Sequence, residues 1–305
     1  MAFLVWLESI RNPVLDAVMS FFTLFGEELV FMLLALTVFW CVNKKEGYYL
    51  LFLGFFGTVL NQFLKILCRI PRPWVKNPQL TVVGDAKTTA TGYSFPSGHT
   101  QNVTGTLGGI ARWHQKTWLR VACVVTLLLT AFSRMYLGVH TPADVLVGAA
   151  MALVLIIVLQ PVVYGENVKG MKILLASMIA LSLVFLLYVE LWQFPADMDE
   201  HNLQSGYKNA YTMLGCTIGA AIVYLADTKK LNFPVKAVWW AQIIKVIVGL
   251  ALVLAVKEGL RAPLEWIFGG HMMARGVRYL LIVLVAGVLW PMTFSRFEKL
   301  GKNNN

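Results

Sequence analysis

A chain of 305 residues with 58% hydrophobic and only 14% charged side chains cannot cover a water-soluble surface. Apolar runs of about 18 or more residues, each long enough to cross a bilayer, recur along its length. The net charge of +10 is scattered between these runs rather than gathered in a patch, which fits loop topology and anionic lipid and argues against a nucleic-acid partner. The expected fold is all-α: a polytopic transmembrane helical bundle.

Residues 1–27 open apolar, then carry Glu8, Arg11 and Asp16, with no small-residue cleavage site after a basic head. Asn12-Pro13 suits a helix start. This stretch is expected to form short N-terminal helices at the interface, with a shallow first span as the alternative, rather than a cleaved signal peptide. Five spans are predicted next, at 28–42, 47–68, 98–113, 118–137 and 142–164, and residues 28–164 form the expected core. Residues 165–305 are expected to be a four-span extension of unknown role, with spans at 171–194, 210–226, 237–256 and 277–294. The terminal Asn303-Asn304-Asn305 reads as a frayed tail. Cys41, Cys68, Cys123 and Cys216 lie in or at the edge of spans without zinc spacing, and read as small buried packing residues.

The spans sort the loops onto two faces. One receives NKKEG, RWHQK, GENVKGMK, DTKKLNFPVK and the C-terminus, and its Lys and Arg density makes it cytoplasmic. The other receives the long loop 69–95, the turn SRMYLGVHTPAD, the acidic FPADMDEH and the segment KEGLRAPLEWIFGGHMMAR.

Three polar clusters fall on that second face. The first is KILCRIPRP, with Lys65, Arg72 and Pro73; the second is PSGH, Pro96 to His99; the third runs from Ser133-Arg134 to His140 and Asp144. Each has a bland explanation. Pro71 and Pro73 end a helix; Lys65, Arg69 and Arg72 snorkel to headgroups; Ser97 caps a helix. Thr141-Pro142-Ala143-Asp144 is a good helix start on its own.

Together they suggest more. The topology puts the C-terminal ends of the second and fourth spans beside the N-terminal ends of the third and fifth. Lys65, Arg72 and Arg134 can then converge with two histidines and two helix starts, which suits a multiply charged oxyanion such as phosphate. His140 and Asp144, four residues apart, meet across one turn, where a carboxylate fixes the imidazole tautomer and leaves the other nitrogen as nucleophile or base.

The pattern K-x6-R-P, P-S-G-H, S-R-x5-H-x3-D resembles the three-part signature of the type 2 phosphatidic acid phosphatase superfamily, which also holds vanadium haloperoxidases and glucose-6-phosphatase. Every motif position matches. The resemblance covers residues 28–164 and leaves the C-terminal spans without a motif. It implies a lipid phosphate phosphatase in which His140 attacks phosphorus to give a phosphohistidine, Asp144 supports it, and His99 protonates the leaving oxygen and then activates water. Lys65, Arg72, Ser97, Gly98 and Arg134 would bind the phosphate oxygens. No metal or other cofactor is expected, because the cations already supply positive charge and no carboxylate cluster is in view.

Other readings stay open at this point. A phosphotransferase would use the same residues with another acceptor. A haloperoxidase is disfavoured by so many spans. A transporter would place charges at several mid-membrane positions. Lys245 within the eighth span is a functional candidate or a snorkelling residue; Asn61-Gln62 orient Lys65 or bond between helices. His201 and His271 read as surface residues, and Trp266 with Phe268 as a lid or interfacial anchor. Expected partners are the lipid phosphate substrate and membrane lipids, with the C-terminal spans a candidate for a tail pocket or a homo-oligomer contact.

Overall fold

The computed structural model describes residues 1–300, so the asparagine tail lies outside the described residues. Among these, helices and turns account for the chain and no strand is present. In order they are α1 (Ala2–Ser9), α2 (Pro13–Thr23), α3 (Glu28–Thr37), α4 (Lys44–Cys68), α5 (Pro73–Lys76), α6 (Ala86–Thr89), α7 (Gly98–Val103) and α8 (Gly109–Trp113). Then come α9 (Thr117–Tyr136), α10 (Pro142–Tyr164), α11 (Val168–Leu191), α12 (Glu200–Ala226), α13 (Trp239–Gly259), α14 (Arg261–Ile267), α15 (Met273–Leu284) and α16 (Phe294–Leu300).

Seven stretches are long and apolar enough to cross a membrane among the described residues. Four of them, Val168–Leu191, Glu200–Leu231, Trp239–Ile267 and Met273–Leu300, are the expected C-terminal spans. The other three are Lys44–Lys76, Thr117–Tyr136 and Pro142–Tyr164. The sequence predicts two more, and neither qualifies alone. Residues 98–113 are too short, because the run opens with the polar series His99-Thr100-Gln101-Asn102. Residues 28–42 continue Pro13–Gly26 across a 52° bend, and that pair would count as one further span.

The chain forms two compact units. The first comprises Met1–Met32, Phe56–Pro161 and Gln193–Gly206. Here α1, α2 and α7 pack on α9. Leu4, Leu7, Met19, Leu80, Ala86, Tyr136, Leu137 and Val139 form a small apolar core under the loop 69–95. Arg11 ties that loop down, donating to Thr81 O (3.0 Å) and, through Nε and Nη2, to Tyr136 O (3.1 and 2.8 Å). Glu8 accepts from Thr81 N at 3.0 Å. Helix α4 stops at Cys68 because Arg69 turns left-handed (φ 51°), and the residues before Pro71 and Pro73 cannot resume a helix.

The second unit comprises Leu33–Phe55, Val162–Trp192 and the residues from Tyr207 onward. Its centre is Lys245, which is fully buried. The ammonium donates to Trp40 O (3.0 Å), Val235 O (2.9 Å) and Gln242 Oε1 (3.2 Å), and lies 4.2 Å from the Phe294 ring centre. Three donors meet three acceptors, so this lysine is a structural pin. Close packing surrounds it: a Cβ on Gly249 would come within 2.6 Å of the Trp40 ring. Asp227, also buried, accepts from Lys44 Nζ (3.1 Å), Tyr48 Oη (3.1 Å) and Phe233 N (3.2 Å).

None of the four cysteines is in a disulfide; Cys123 and Cys216 are buried as expected, but Cys68 is exposed at the end of α4. Trp266 is 85% exposed, which suits an interfacial anchor.

Candidate active site

Four helix ends of the first unit meet at one place. The end of α4 brings Lys65, the following turn brings Arg72, the end of α9 brings Arg134, and the starts of α7 and α10 bring His99 and Asp144. His140 sits just before α10. Lys65, Arg72, Ser97, Arg134, His140 and Asp144 are all buried, while Gly98 and His99 are partly open.

The turn Thr141 to Asp144 is a capping box. Asp144 N donates to Thr141 Oγ1 (3.4 Å) and Thr141 N to Asp144 Oδ2 (2.7 Å). The bland reading of TPAD is therefore right, and the same carboxylate also faces Ser94 and His140. Its Oδ2 accepts from Ser94 Oγ (2.7 Å) and lies 3.5 Å from His140 Nδ1. That is longer than a hydrogen bond, and Nδ1 has no hydrogen-bond partner among the described residues.

The other imidazole nitrogen fixes the tautomer. Arg72 Nη1 lies 2.9 Å from His140 Nε2, and a guanidinium only donates. Nε2 therefore presents its lone pair, and the proton is on Nδ1 facing Asp144. Burial, then the charges of Arg72, Lys65, Arg134 and His99, hold the imidazole well below its ordinary pKa, so it is neutral at pH 7. A neutral histidine with an oriented lone pair beside several cations has the chemistry to act as a nucleophile next to a bound anion.

The cations differ in how they are held. Every nitrogen of Arg72 is engaged: Nε donates to Gly92 O (3.0 Å), Nη2 to Thr91 O (2.7 Å) and Nη1 also to Val139 O (3.2 Å). Lys65 donates to Tyr93 O. Arg134 is buried with only Nη1 engaged, on Thr23 Oγ1 (2.5 Å); its Nε and Nη2 find no partner among the described residues. A buried guanidinium with two unpartnered nitrogens is costly unless an anion meets it.

The PSGH turn is set against α10 by backbone contacts. Ser97 N donates to Asp144 O at 2.9 Å, and a Cβ on Gly148 would come within 2.6 Å of Ser97 O. Ser97 Oγ caps α7, accepting from Thr100 N (3.4 Å) and Thr100 Oγ1 (3.0 Å), so its own proton stays available to donate. A Cβ on Gly98 would meet only Asn61 Oδ1, at 3.5 Å. Asn61 Nδ2 donates to Pro96 O (3.4 Å), so Asn61 braces this turn rather than Lys65.

Sequence reasoning missed Thr23 and Glu27. Glu27 lies at the bend between α2 and α3, and its Oε1 is 3.1 Å from His99 Nε2. The only signal was a pair of glutamates, Glu27-Glu28, in an apolar stretch. Among the described residues no group of three His, Cys, Asp or Glu side chains could hold a metal ion.

Residues 46–167 match the PAP2 superfamily, and residues 211–303 match the PAP2 superfamily phosphatase, transmembrane extension. The chain is 32% identical over 150 residues to undecaprenyl-diphosphatase BcrC of Bacillus subtilis, covering 48% of this chain and 73% of that protein. The chain belongs to the PAP2 superfamily. An undecaprenyl-diphosphatase of Sulfolobus acidocaldarius is 30% identical over 136 residues, 44% of this chain and 64% of that protein. The superfamily match contains Lys65, Arg72, His99, Arg134, His140 and Asp144, and the extension match accounts for most of the C-terminal spans that carry no motif. No solved structure matches significantly.

Proposed function

We propose that this protein hydrolyses a phosphate or diphosphate ester of a lipid through a phosphohistidine. The observation that carries the proposal is the lone pair of a neutral, buried His140 next to Arg72, with the open donors of Arg134 in the same charged cluster. His140 Nε2 attacks phosphorus in line, and Arg72 Nη1 transfers its hydrogen bond from Nε2 to a phosphate oxygen. Arg134 Nε and Nη2, Lys65, the Ser97 hydroxyl and the Gly98 N–H take the remaining oxygens as charge spreads over them. Asp144 Oδ2 receives the Nδ1 proton in a full hydrogen bond as the imidazole becomes positive. His99 gives a proton to the leaving oxygen, then takes one from the water that cleaves the nitrogen–phosphorus bond.

The two relatives are named as undecaprenyl-diphosphatases, which makes a polyprenyl diphosphate the first substrate to test. The proposed site lies on the non-cytoplasmic face, on the strength of the Lys and Arg bias of the opposite loops. The test is phosphate release by purified protein from undecaprenyl diphosphate, phosphatidic acid and phosphatidylglycerol phosphate. Activity persisting in EDTA, inhibition by vanadate and an acid-labile phosphoenzyme are expected. Wild-type rates from His140→Ala would overturn the assignment. Phosphate moved to a second lipid, with none released, would make the protein a phosphotransferase.

A further inference from the structure

Residues 22–27 dock on the site through several independent contacts. Thr130 Oγ1 on α9 donates to Phe22 O (2.9 Å), Arg134 Nη1 donates to Thr23 Oγ1 (2.5 Å), and Asn102 Nδ2 on α7 lies 3.5 Å from Gly26 O. Gly26 lies so close that a Cβ there would come within 2.7 Å of His99 Cβ. The 52° bend then presents Glu27, whose Oε1 meets His99 Nε2 at 3.1 Å. Glu27 keeps a third of its side chain accessible while His99 is largely enclosed. A bend held by a hydroxyl and a guanidinium, and ending in a carboxylate on the second histidine, is more than interfacial packing.

We propose that Glu27 is the positioning residue for the acid–base step, a fourth element of the site lying outside the three sequence motifs. This rests on the phosphatase reading above and assigns a role that reading left open. The Glu27 carboxylate accepts a hydrogen bond from Nε2–H, fixes the ring, and favours the imidazolium. It does so against burial and the Arg134 charge, which together hold the ring below its ordinary pKa. With Nε2 so engaged, proton exchange runs through His99 Nδ1. As the His140 nitrogen–phosphorus bond forms and the ester phosphorus–oxygen bond breaks, the Nδ1 proton goes to the leaving oxygen. Water then adds to phosphorus, its proton returns to Nδ1, and the nitrogen–phosphorus bond breaks, leaving an alcohol and phosphate from ester and water. The Glu27–His99 pair thus parallels Asp144 and His140: each histidine has a carboxylate on one nitrogen and its chemistry on the other.

A residue that acts through a proton donor matters most when the leaving group is poor. The test compares phenyl, p-nitrophenyl and 2,4-dinitrophenyl phosphates, whose leaving groups grow more acidic, on wild type, Glu27→Gln, His99→Ala and the double variant. Glu27→Gln should lower kcat/KM for phenyl phosphate on the order of 10²-fold, with the loss shrinking toward none for the dinitrophenyl ester. His99→Ala should show the same steepened dependence, and the double variant should be no worse than His99→Ala alone. Unchanged vanadate inhibition reports an intact oxyanion site in each variant. If Glu27→Gln is not recovered folded, Glu27→Asp keeps the charge at shorter reach and should give an intermediate slope. An equal loss for all three esters, or a loss that adds to that of His99→Ala, overturns the role. A wild type that hydrolyses none of the aryl or lipid phosphates overturns the phosphatase reading, and this role with it. A wild type active on aryl esters with a shifted slope in Glu27→Gln keeps the role whatever lipid proves to be the substrate.

Discussion

Each unit buries more than one cation, and one from each, Lys245 and Arg134, are satisfied in opposite ways. In the second unit Lys245 meets three acceptors and an aromatic face, all supplied by its own fold. In the first, Arg134 is equally buried but has one hydroxyl for five donors, and Lys65, Arg72 and His140 bear on the same space. Both arrangements keep a charge away from lipid. A saturated charge holds a fold together; an unsaturated one, kept open by rigid surroundings, is ready for an anion from outside.

The sharpest way to break that contrast is at the proposed nucleophile. His140→Ala should abolish phosphate release, and Asp144→Asn should lower kcat on the order of 10⁴-fold, as loss of an orienting carboxylate does in a triad. The Asp144→Asn protein should stay folded, since an amide oxygen can still accept from Ser94 and Thr141; circular dichroism beside turnover checks both. Next comes Arg134→Gln, expected to cost 10²–10³-fold in kcat, roughly 3–4 kcal/mol of transition-state stabilisation. Because Arg134 is only partly satisfied, its thermal midpoint should fall little, and a large drop would show that the residue is structural.

Lys245→Met inverts the pattern. Three acceptors lose their donor, which predicts a lower melting temperature worth about 1–3 kcal/mol with kcat unchanged. A lost kcat in folded Lys245→Met would restore a functional role to that lysine. The smallest effect is in pH dependence. Because burial and the neighbouring cations push His140 down, its neutral form persists into acid, and the acid limb of kcat/KM should lie below the ordinary histidine value of about 6.5. Arg72→Gln removes one of those cations and should move that limb back upward in pH.

What could be read in the sequence follows the same division. Lys65, Arg72, His99, Arg134, His140 and Asp144 were legible because each belongs to a short motif whose spacing has a local meaning. One turn joins His140 to Asp144, and the Pro-Ser-Gly-His turn opens a helix. The spans were legible through apolar length, except at 98–113, which is too short, and at 28–42, which reaches span length only as a bent pair with 13–26. Glu27 was not legible: its partner His99 is 72 residues away, and the adjacent Glu28 alone hints at a polar role. Thr23 and Arg134 are 111 residues apart. Lys245 could be read either way because its acceptor Trp40 is 205 residues distant, and whether a buried ammonium is quiet or active depends on carbonyls no local pattern reveals.

Gly148 has a consequence for how such a site can change over time. Its backbone lies against the carbonyl of Ser97, with no room for even a methyl group. The gap between the turn and the helix that follows the proposed nucleophile is thus set by two main chains, not by side chains of adjustable size. Side-chain packing drifts as residues are exchanged, but a main-chain contact offers no intermediate sizes, so this separation acts as a fixed gauge. The rest of the bundle can repack around a new lipid tail while the phosphate continues to meet the same spacing.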